Sequence, residues 1–112
     1  MTRSRADDIA ARRQELLAAL EEVDRELTEL RSMRERQHDD DEHDPDGVSL
    51  SSEWSRLEGL RQTEIAALAA IDAAAARLSA GDDGICVVCG RPIAPERLAA
   101  RPDATTCITC AR

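Results

Sequence analysis

The chain has 112 residues, which leaves room for one small domain or one small module attached to an extended element, and excludes a multidomain enzyme. It contains 19 alanines and one aromatic residue, Trp54, so a bulky globular core is excluded and helices packed on one another are expected. The formal net charge is −8 and no segment forms a basic stripe, so direct nucleic-acid recognition is not expected.

The location of the protein follows from hydropathy and cysteine usage. No apolar run approaches the roughly 20 residues that span a bilayer, and residues 1–13 are too charged for a signal peptide. We therefore expect a cytoplasmic protein that does not associate with membranes. Because cytoplasmic cysteines are kept reduced, the four cysteines are better explained by metal binding than by disulfides.

The first predicted element is a helix over about residues 4–37. Its apolar residues follow a heptad repeat, in which positions a and d recur every seven residues. These residues are Ile9, Leu16, Leu20, Val23, Leu27 and Leu30. Arg13 and Arg34 occupy the outer d positions, which suggests fraying or side chains that reach outward to solvent. Ser4 followed three residues later by Asp7 is typical of a capping box at the start of a helix.

A loop is predicted at about residues 38–51, and it carries nearly all of the excess charge. The seven acids and no bases between positions 37 and 53 are Asp39, Asp40, Asp41, Glu42, Asp44, Asp46 and Glu53. Pro45 and Gly47 argue against helix throughout this segment. An antiparallel hairpin would place the loop at the tip of a rod about 45 Å long, where it could touch a partner. A solvated loop that only keeps the hairpin soluble is the alternative.

Part of the loop also matches the pattern of a calcium-binding EF-hand. Oxygen ligands and the glycine fall at suitable positions in Glu42, Asp44, Asp46, Gly47 and Glu53. We do not favour this interpretation, because a glutamate stands first and Pro45 stiffens the loop. His38 and His43 could also bind a metal, but loop histidines are more often simply solvated.

A second helix is predicted from about Ser52 to Ala80, with Ser51 or Ser49 as its cap and Gly81 as its terminator. Its apolar face is predicted to contain Leu57, Leu60, Ile65, Leu68, Ile71, Ala75 and Leu78. The expected fold is therefore mainly α.

Two parts of the chain are predicted, with a boundary after residue 80. Residues 1–80 form a long antiparallel two-helix coiled-coil hairpin, and residues 81–112 form a small C-terminal zinc-finger module. The two apolar stripes match in length, so we expect a monomer with an intramolecular hairpin. A parallel homodimer is the competing arrangement.

The strongest motif is a pair of C-x-x-C sequences separated by 17 residues, which supplies Cys86, Cys89, Cys107 and Cys110. This spacing is typical of a tetrahedral Zn²⁺ site, and four thiolates leave no open position for catalysis. We therefore expect one structural Zn²⁺ and no enzyme activity, with a redox dithiol or disulfides as alternatives. A module of about 30 residues without an aromatic side chain would depend on the metal to fold.

The residues around these cysteines resemble the zinc finger of the DksA/TraR family. The shared residues are Cys86-x-x-Cys89-Gly90, Ile93, Arg97-Leu98, Ala100-Arg101-Pro102 and Cys107-Ile108-x-Cys110. The resemblance implies that the protein binds RNA polymerase, with the zinc module at the rim of the secondary channel and the hairpin reaching toward the active centre to modulate initiation. It also implies contacts with the polymerase rim or an alarmone through Arg97 and Arg101.

The tip of the predicted hairpin departs from the D-x-x-D-x-A pattern of well-known family members. In one alignment Asp44 is retained, but Gly47 and Ser49 stand in place of the second aspartate and the alanine. A shifted alignment gives Asp41, Asp44 and Asp46, which we take as the candidate tip residues.

Alarmone-responsive members of the family carry basic residues at positions that correspond here to Ala70 and Ala111, and only Arg101 is retained. Dependence on guanosine tetraphosphate is therefore not expected. The alternative to a polymerase-binding regulator is a zinc-stabilised coiled-coil adaptor that binds another basic protein surface.

Overall fold

The fold is mainly α, as the sequence predicted. The computed structural model describes residues 4–40, 46–82 and 84–111, with side chains described from 4–36, 50–82 and 84–111. Helix α1 spans Arg5–Asp40, α2 spans Asp46–Ser79 and α3 spans Pro95–Ala100. The long helices α1 and α2 form an antiparallel coiled-coil hairpin, and a small four-cysteine module follows. Within the described residues, no helix has the length and apolar character needed to cross a bilayer.

The helices extend further toward the loop than the sequence predicted. Helix α1 continues to Asp40 and α2 begins at Asp46, whereas the loop was predicted at about residues 38–51. A proline just before a helix leaves the hydrogen bonds of that helix intact, so Pro45 in the sequence is compatible with a helix that begins at Asp46. Leu50 is buried against α1, and this contact stabilises the first turns of α2, which begins before the predicted start.

Most of the candidate tip residues lie outside the part of the chain that the structure describes. Asp41 and Asp44 lie outside the described residues, as does Glu42 of the EF-hand-like pattern. Asp46 is the first residue of α2, and its side chain is not described. The role of the tip therefore stays a prediction.

Contacts divide the chain into two compact units, and the first is formed by residues 17–66. Its core consists of Val23, Leu27 and Leu30 from α1 with Leu50 and Leu57 from α2, and Trp54 packs against it. Arg61 donates to Asp24 at 2.7 Å, and the Arg31 guanidinium lies 5.8 Å from the centre of the Trp54 ring. Moving seven residues forward on α1 thus moves the partner seven residues back on α2. The helices are antiparallel and in heptad register here.

The second unit combines residues 1–16 and 67–112. Its core consists of Ile9, Leu16, Ile71 and Ala74, with Ala67, Leu68, Ala75 and Leu78 packed against it. Arg13 Nε donates to Asp72 Oδ1 at 2.7 Å, so this predicted d position is an ion pair between helices and not a frayed end. Arg5 Nη2 donates to the Pro102 carbonyl at 3.4 Å. The cysteine module and the adjoining helix segments share this unit, and the predicted boundary after residue 80 stays a prediction.

The buried face of α2 differs in part from the predicted face. Leu57 and Ile71 are each 1% exposed, whereas Leu60 and Ile65 are 38% and 37% exposed. The step of five residues from Leu60 to Ile65 does not fit a heptad seam, in which steps of three and four alternate. Ala74 is fully buried, and it was missed because a short side chain gives a weak hydrophobic signal.

The helix ends confirm two predictions made from single residues. The Ser4 hydroxyl accepts from the Asp7 N–H at 3.1 Å, and the Asp7 carboxylate accepts from the Ser4 N–H at 3.3 Å, which is a capping box. At the end of α2, Gly81 has φ +95° and the Asp82 N–H bonds the Arg77 carbonyl at 2.9 Å. This Schellman arrangement ends the helix at a residue that tolerates left-handed backbone.

Candidate metal centre

Each pair of cysteines lies in a tight turn, which we call a knuckle. In the first knuckle, residues 86–90, the Gly90 N–H bonds the Cys86 carbonyl at 3.0 Å, and Gly90 has φ +74°. In the second knuckle, residues 107–110, the Cys110 N–H bonds the Cys107 carbonyl at 3.1 Å. These turns bring the two cysteines of each pair together.

Backbone hydrogen bonds place the two knuckles side by side. The Cys86 N–H bonds the Arg91 carbonyl at 2.9 Å, which closes the chain after the first knuckle. The Val87 N–H bonds the Thr105 carbonyl at 2.9 Å, which holds the first knuckle against the segment that enters the second. The two cysteine pairs, which lie 21 positions apart in the sequence, are thus brought together by backbone hydrogen bonds.

The sulfur positions fit one tetrahedral metal ion. The four Sγ atoms lie within 4.8 Å of one another, and those of Cys89 and Cys107 are 3.8 Å apart. Tetrahedral Zn²⁺ with Zn–S bonds of about 2.3 Å requires sulfur atoms about 3.8 Å apart. Within the described residues, this group alone brings three or more metal-binding side chains together. The structure therefore assembles the four cysteines that the sequence singled out.

The electrostatics of the site favour a cation. Backbone N–H groups of Cys89 and Cys107 point to the Cys86 sulfur and lower the pKa of Cys86 to about 6. The N–H of Cys110 likewise lowers the pKa of Cys107. The hydrogen bond with the Cys107 sulfur raises the pKa of Cys110 to about 12, since four crowded sulfur atoms do not all ionise together. A bound Zn²⁺ supplies the charge that allows four thiolates.

The two arginines singled out from the sequence have different surroundings. Arg97, on α3, donates from Nε to the Thr106 carbonyl at 2.9 Å and so connects the helix to the residue just before the second knuckle. Arg101 follows the end of α3, and its side chain is exposed. Arg97 therefore has a structural contact, while Arg101 is open to a partner.

Gly84 is a structural residue that the sequence analysis missed. It is buried ahead of the first knuckle with φ +78°, and an added Cβ would lie 2.7 Å from Leu98 Cδ1. Its carbonyl accepts from the Ile93 N–H at 2.7 Å. The sequence signal that could have found it is a glycine two residues before the first cysteine, where the chain makes a tight turn.

Comparisons with known proteins agree with this geometry. The family model for the prokaryotic dksA/traR C4-type zinc finger matches residues 81–112. The solved structure of transcription factor DksA2 from Pseudomonas aeruginosa is 34% identical with a TM-score of 0.75, over 90% of this chain and 72% of that chain. A comparison with curated proteins gives no match. The four cysteines bind one structural Zn²⁺, and the chain belongs to the DksA/TraR family.

Proposed function

We propose that this protein is a cytoplasmic, non-enzymatic transcription regulator that binds RNA polymerase and inserts its acidic-tipped hairpin into the secondary channel to modulate initiation. The observation that carries the proposal is the likeness to a solved transcription factor over 90% of the chain at 34% identity. That likeness includes the hairpin as well as the zinc module, so it concerns the element that would enter the channel.

The hairpin has the construction that such an insertion requires. Val23, Leu27 and Leu57 are buried between its helices, and the ion pair of Asp24 with Arg61 joins the helices at their surface. A two-helix hairpin held in this way keeps its shape without help from a larger domain. It can therefore carry a charged loop to a distant point.

The acidic tip is proposed to act on the polymerase, and not to stabilise the protein. Six acids between positions 39 and 46, with no arginine or lysine among them, repel one another, which costs stability unless function requires them. Replacing Asp44 and Asp46 by Asn, with Asp41→Asn as a third step, should leave the melting temperature unchanged or slightly raised. Polymerase affinity should stay within a few-fold of the parent value, and the effect on initiation at a responsive promoter should be lost.

A matched control removes two charges elsewhere on the hairpin. Glu21 and Glu29 are exposed on α1, so the Glu21→Gln/Glu29→Gln variant changes the net charge equally without touching the tip. It should retain the effect on initiation. If the tip variant also retains the effect, the loop serves only solubility and the tip proposal is wrong.

Direct binding to core RNA polymerase separates the proposed function from its alternative. A regulator of the proposed kind binds the purified polymerase, and a zinc-stabilised adaptor for another basic protein surface does not. Fluorescence of Trp54 is a suitable reporter, because this residue is close in sequence to the loop and packs beside Leu50.

Guanosine tetraphosphate is not proposed as a ligand. A groove of about 560 Å³ in the unit that contains the cysteine module has Arg12 and Arg101 in its lining, together with the acids Asp8, Glu15 and Asp103. Three carboxylates against two guanidinium groups disfavour a polyphosphate at this place. Polymerase regulation should accordingly be the same with and without the alarmone.

We also propose that the protein is a monomer. Apolar residues of α1 and α2 are covered by each other within one chain, in both compact units. Light scattering at micromolar concentration should give a mass near 12.2 kDa. A value of about twice that mass would indicate a dimer instead.

A further inference from the structure

Arg5 reaches from the first turn of α1 to the cysteine module, which lies in the same compact unit. Its Nη2 donates to the Pro102 carbonyl at 3.4 Å. Its Nη1 lies beside Gly84, 3.8 Å from the position that a Cβ on this glycine would occupy. The Nε atom of Arg5 is buried from solvent. The guanidinium group therefore lies between two segments of the module that are 18 positions apart in the sequence.

These two segments lead into the two knuckles. Gly84 lies two residues before the first cysteine of the first knuckle, and Pro102 lies five residues before the first cysteine of the second. Both residues are buried, and the Gly84 carbonyl accepts from the Ile93 N–H at 2.7 Å, so both contact points belong to the folded interior of the module. Arg5 thus bridges the segment that enters one cysteine pair and the segment that enters the other.

An arginine at this position is costly, so its contacts must compensate. Arg5 is the first residue of α1, where the helix dipole makes a positive charge unfavourable. Burying part of a guanidinium group also removes it from water, which adds a further cost. The planar guanidinium carries five donors in a fixed fork, so it can reach two places at once. The burial of Arg5 is therefore explained by the bridge and not by the helix that carries it.

Release of Zn²⁺ from four thiolates requires the knuckles to move apart, since a closed tetrahedral site leaves no open position for a chelator. Within the module, the hydrogen bond from the Val87 N–H to the Thr105 carbonyl resists this movement. Side-chain burial adds little resistance, because few side chains of the described module are buried: Cys86, Ile93 and Pro102. A bridge across the two entering segments therefore adds substantially to the resistance.

We infer that Arg5 is a strap that holds the two knuckles together, and that the first turn of α1 thereby controls how fast the module releases Zn²⁺. The strap acts on the segments that carry the cysteines and not on the metal itself. Its anchor is the capping box, because Ser4 and Asp7 hold the first turn in helical form and so fix the place from which Arg5 reaches out. This inference concerns metal retention and is independent of polymerase binding.

The test measures how fast the full-length zinc-loaded protein loses its metal to an excess of a chelator whose absorbance changes when it binds Zn²⁺. Arg5→Met keeps an unbranched side chain and removes the guanidinium group, so it should raise the rate about tenfold, equivalent to about 1.4 kcal/mol. Arg5→Lys keeps the charge but not the planar fork, so its rate should be close to that of Arg5→Met. Arg12→Met is the matched control and should keep the parent rate, because Arg12 is exposed and pairs with Glu15 inside α1.

A further variant tests the anchor of the strap. Ser4→Ala removes the capping hydroxyl but leaves Arg5 in place, so it should raise the rate of zinc loss by a smaller factor, about threefold. In the Arg5→Met background the same substitution should have no further effect on the rate, because the strap is already absent. The helical circular dichroism should be nearly unchanged in all of these variants, since α1 contains 36 residues.

Three results would overturn the inference. If Arg5→Met loses zinc at the parent rate, the contact of Arg5 with the module has no role in metal retention. If Arg5→Lys keeps the parent rate while Arg5→Met does not, positive charge alone explains the effect and the bridge is wrong. If Ser4→Ala raises the rate by the same factor in both backgrounds, the first turn of α1 does not act through Arg5.

Discussion

Residues 17–66 and the cysteine module bury very different amounts of apolar side chain. In residues 17–66, five buried apolar residues from two helices form one cluster, with Trp54 against it. In the described part of the module, residues 84–111, the buried side chains are those of Cys86, Ile93 and Pro102. One region is stabilised by side-chain burial along a heptad seam, and the other depends on a metal ion that joins two turns. The same short chain thus uses two different sources of stability.

The largest expected effect comes from removing the metal, which should act on only one of these regions. Binding of structural zinc provides about 10–16 kcal/mol in comparable small modules, and the module has few buried residues to replace it. A strong chelator should therefore unfold residues 84–111 and leave most of the helical circular dichroism, because α1 and α2 contain 36 and 34 residues against 6 in α3. Complete loss of the helical signal would show that both regions unfold as one cooperative unit.

Truncation of a core side chain in the hairpin should destabilise the hairpin and leave zinc binding by the module unchanged. Leu57 is 1% exposed, so Leu57→Ala should lower the free energy of unfolding by about 2–5 kcal/mol through lost burial and a cavity. Zinc content should stay at one ion per chain. Leu60→Ala is the matched control, since Leu60 is 38% exposed and its loss should cost less than about 1 kcal/mol. If urea denaturation shows that both variants lose the same free energy of unfolding, the assignment of Leu57 to the buried face of α2 and Leu60 to its exposed face is wrong.

Three glycines can separate backbone strain from crowding in the module. Gly84→Ala should destabilise the zinc-loaded module, because a left-handed backbone costs about 1–2 kcal/mol for other residues and the new Cβ would also displace Leu98. Gly90 has φ +74° and nothing within 4 Å of the place where a Cβ would lie. Gly90→Ala should therefore show the cost of the left-handed backbone alone. Gly59→Ala, in α2 with open space, should instead stabilise the hairpin by about 0.5–1 kcal/mol. Melting temperatures that fall equally in all three variants would argue against this explanation.

The smallest effect concerns pH and an exposed pair on α2. Arg56 bonds both carboxylate oxygens of Glu53, at 3.0 and 2.6 Å, and this hydrogen bonding lowers the pKa of Glu53. A lowered folded-state pKa means that the pair stabilises the protein above the unfolded pKa and loses this contribution as pH falls through the folded pKa. NMR titration should show the Glu53 carboxyl titrating at lower pH than in an Arg56→Gln variant. The same midpoint in both proteins would exclude the pair as the cause.

The sequence predicted those parts of the structure that depend on local pattern. The heptad of α1 rests on a short spacing that repeats, the capping box on Ser4 and Asp7, and the metal ligands on two C-x-x-C pairs, and all three are confirmed. The early start of α2 was not predicted, because it depends on packing of Leu50 against a helix some twenty residues earlier. The pairing of Arg13 with Asp72 was not predicted for the same reason.

The functional residues divide in the same way. Metal ligation follows from sequence spacing, since the chemistry of zinc limits the possible arrangements. The exposure of Val87, Val88 and Ile108 could not be predicted, because it depends on how the knuckles fold. Gly84 was missed because its crowding comes from Leu98, on a helix that begins only after the first knuckle.

The heptad register described for residues 17–66 makes the hairpin adjustable in length. Because contacts repeat every seven residues on both helices, seven residues added to each helix would restore every pairing beyond the insertion. Such a pair of insertions would move the loop about 10 Å along the helix axis, whereas three residues added to one helix alone would turn its apolar stripe away from the partner. The length of the hairpin can therefore be changed in steps of one heptad, and deletion or duplication of whole heptads in both helices shifts its loop by a fixed distance along the helix axis.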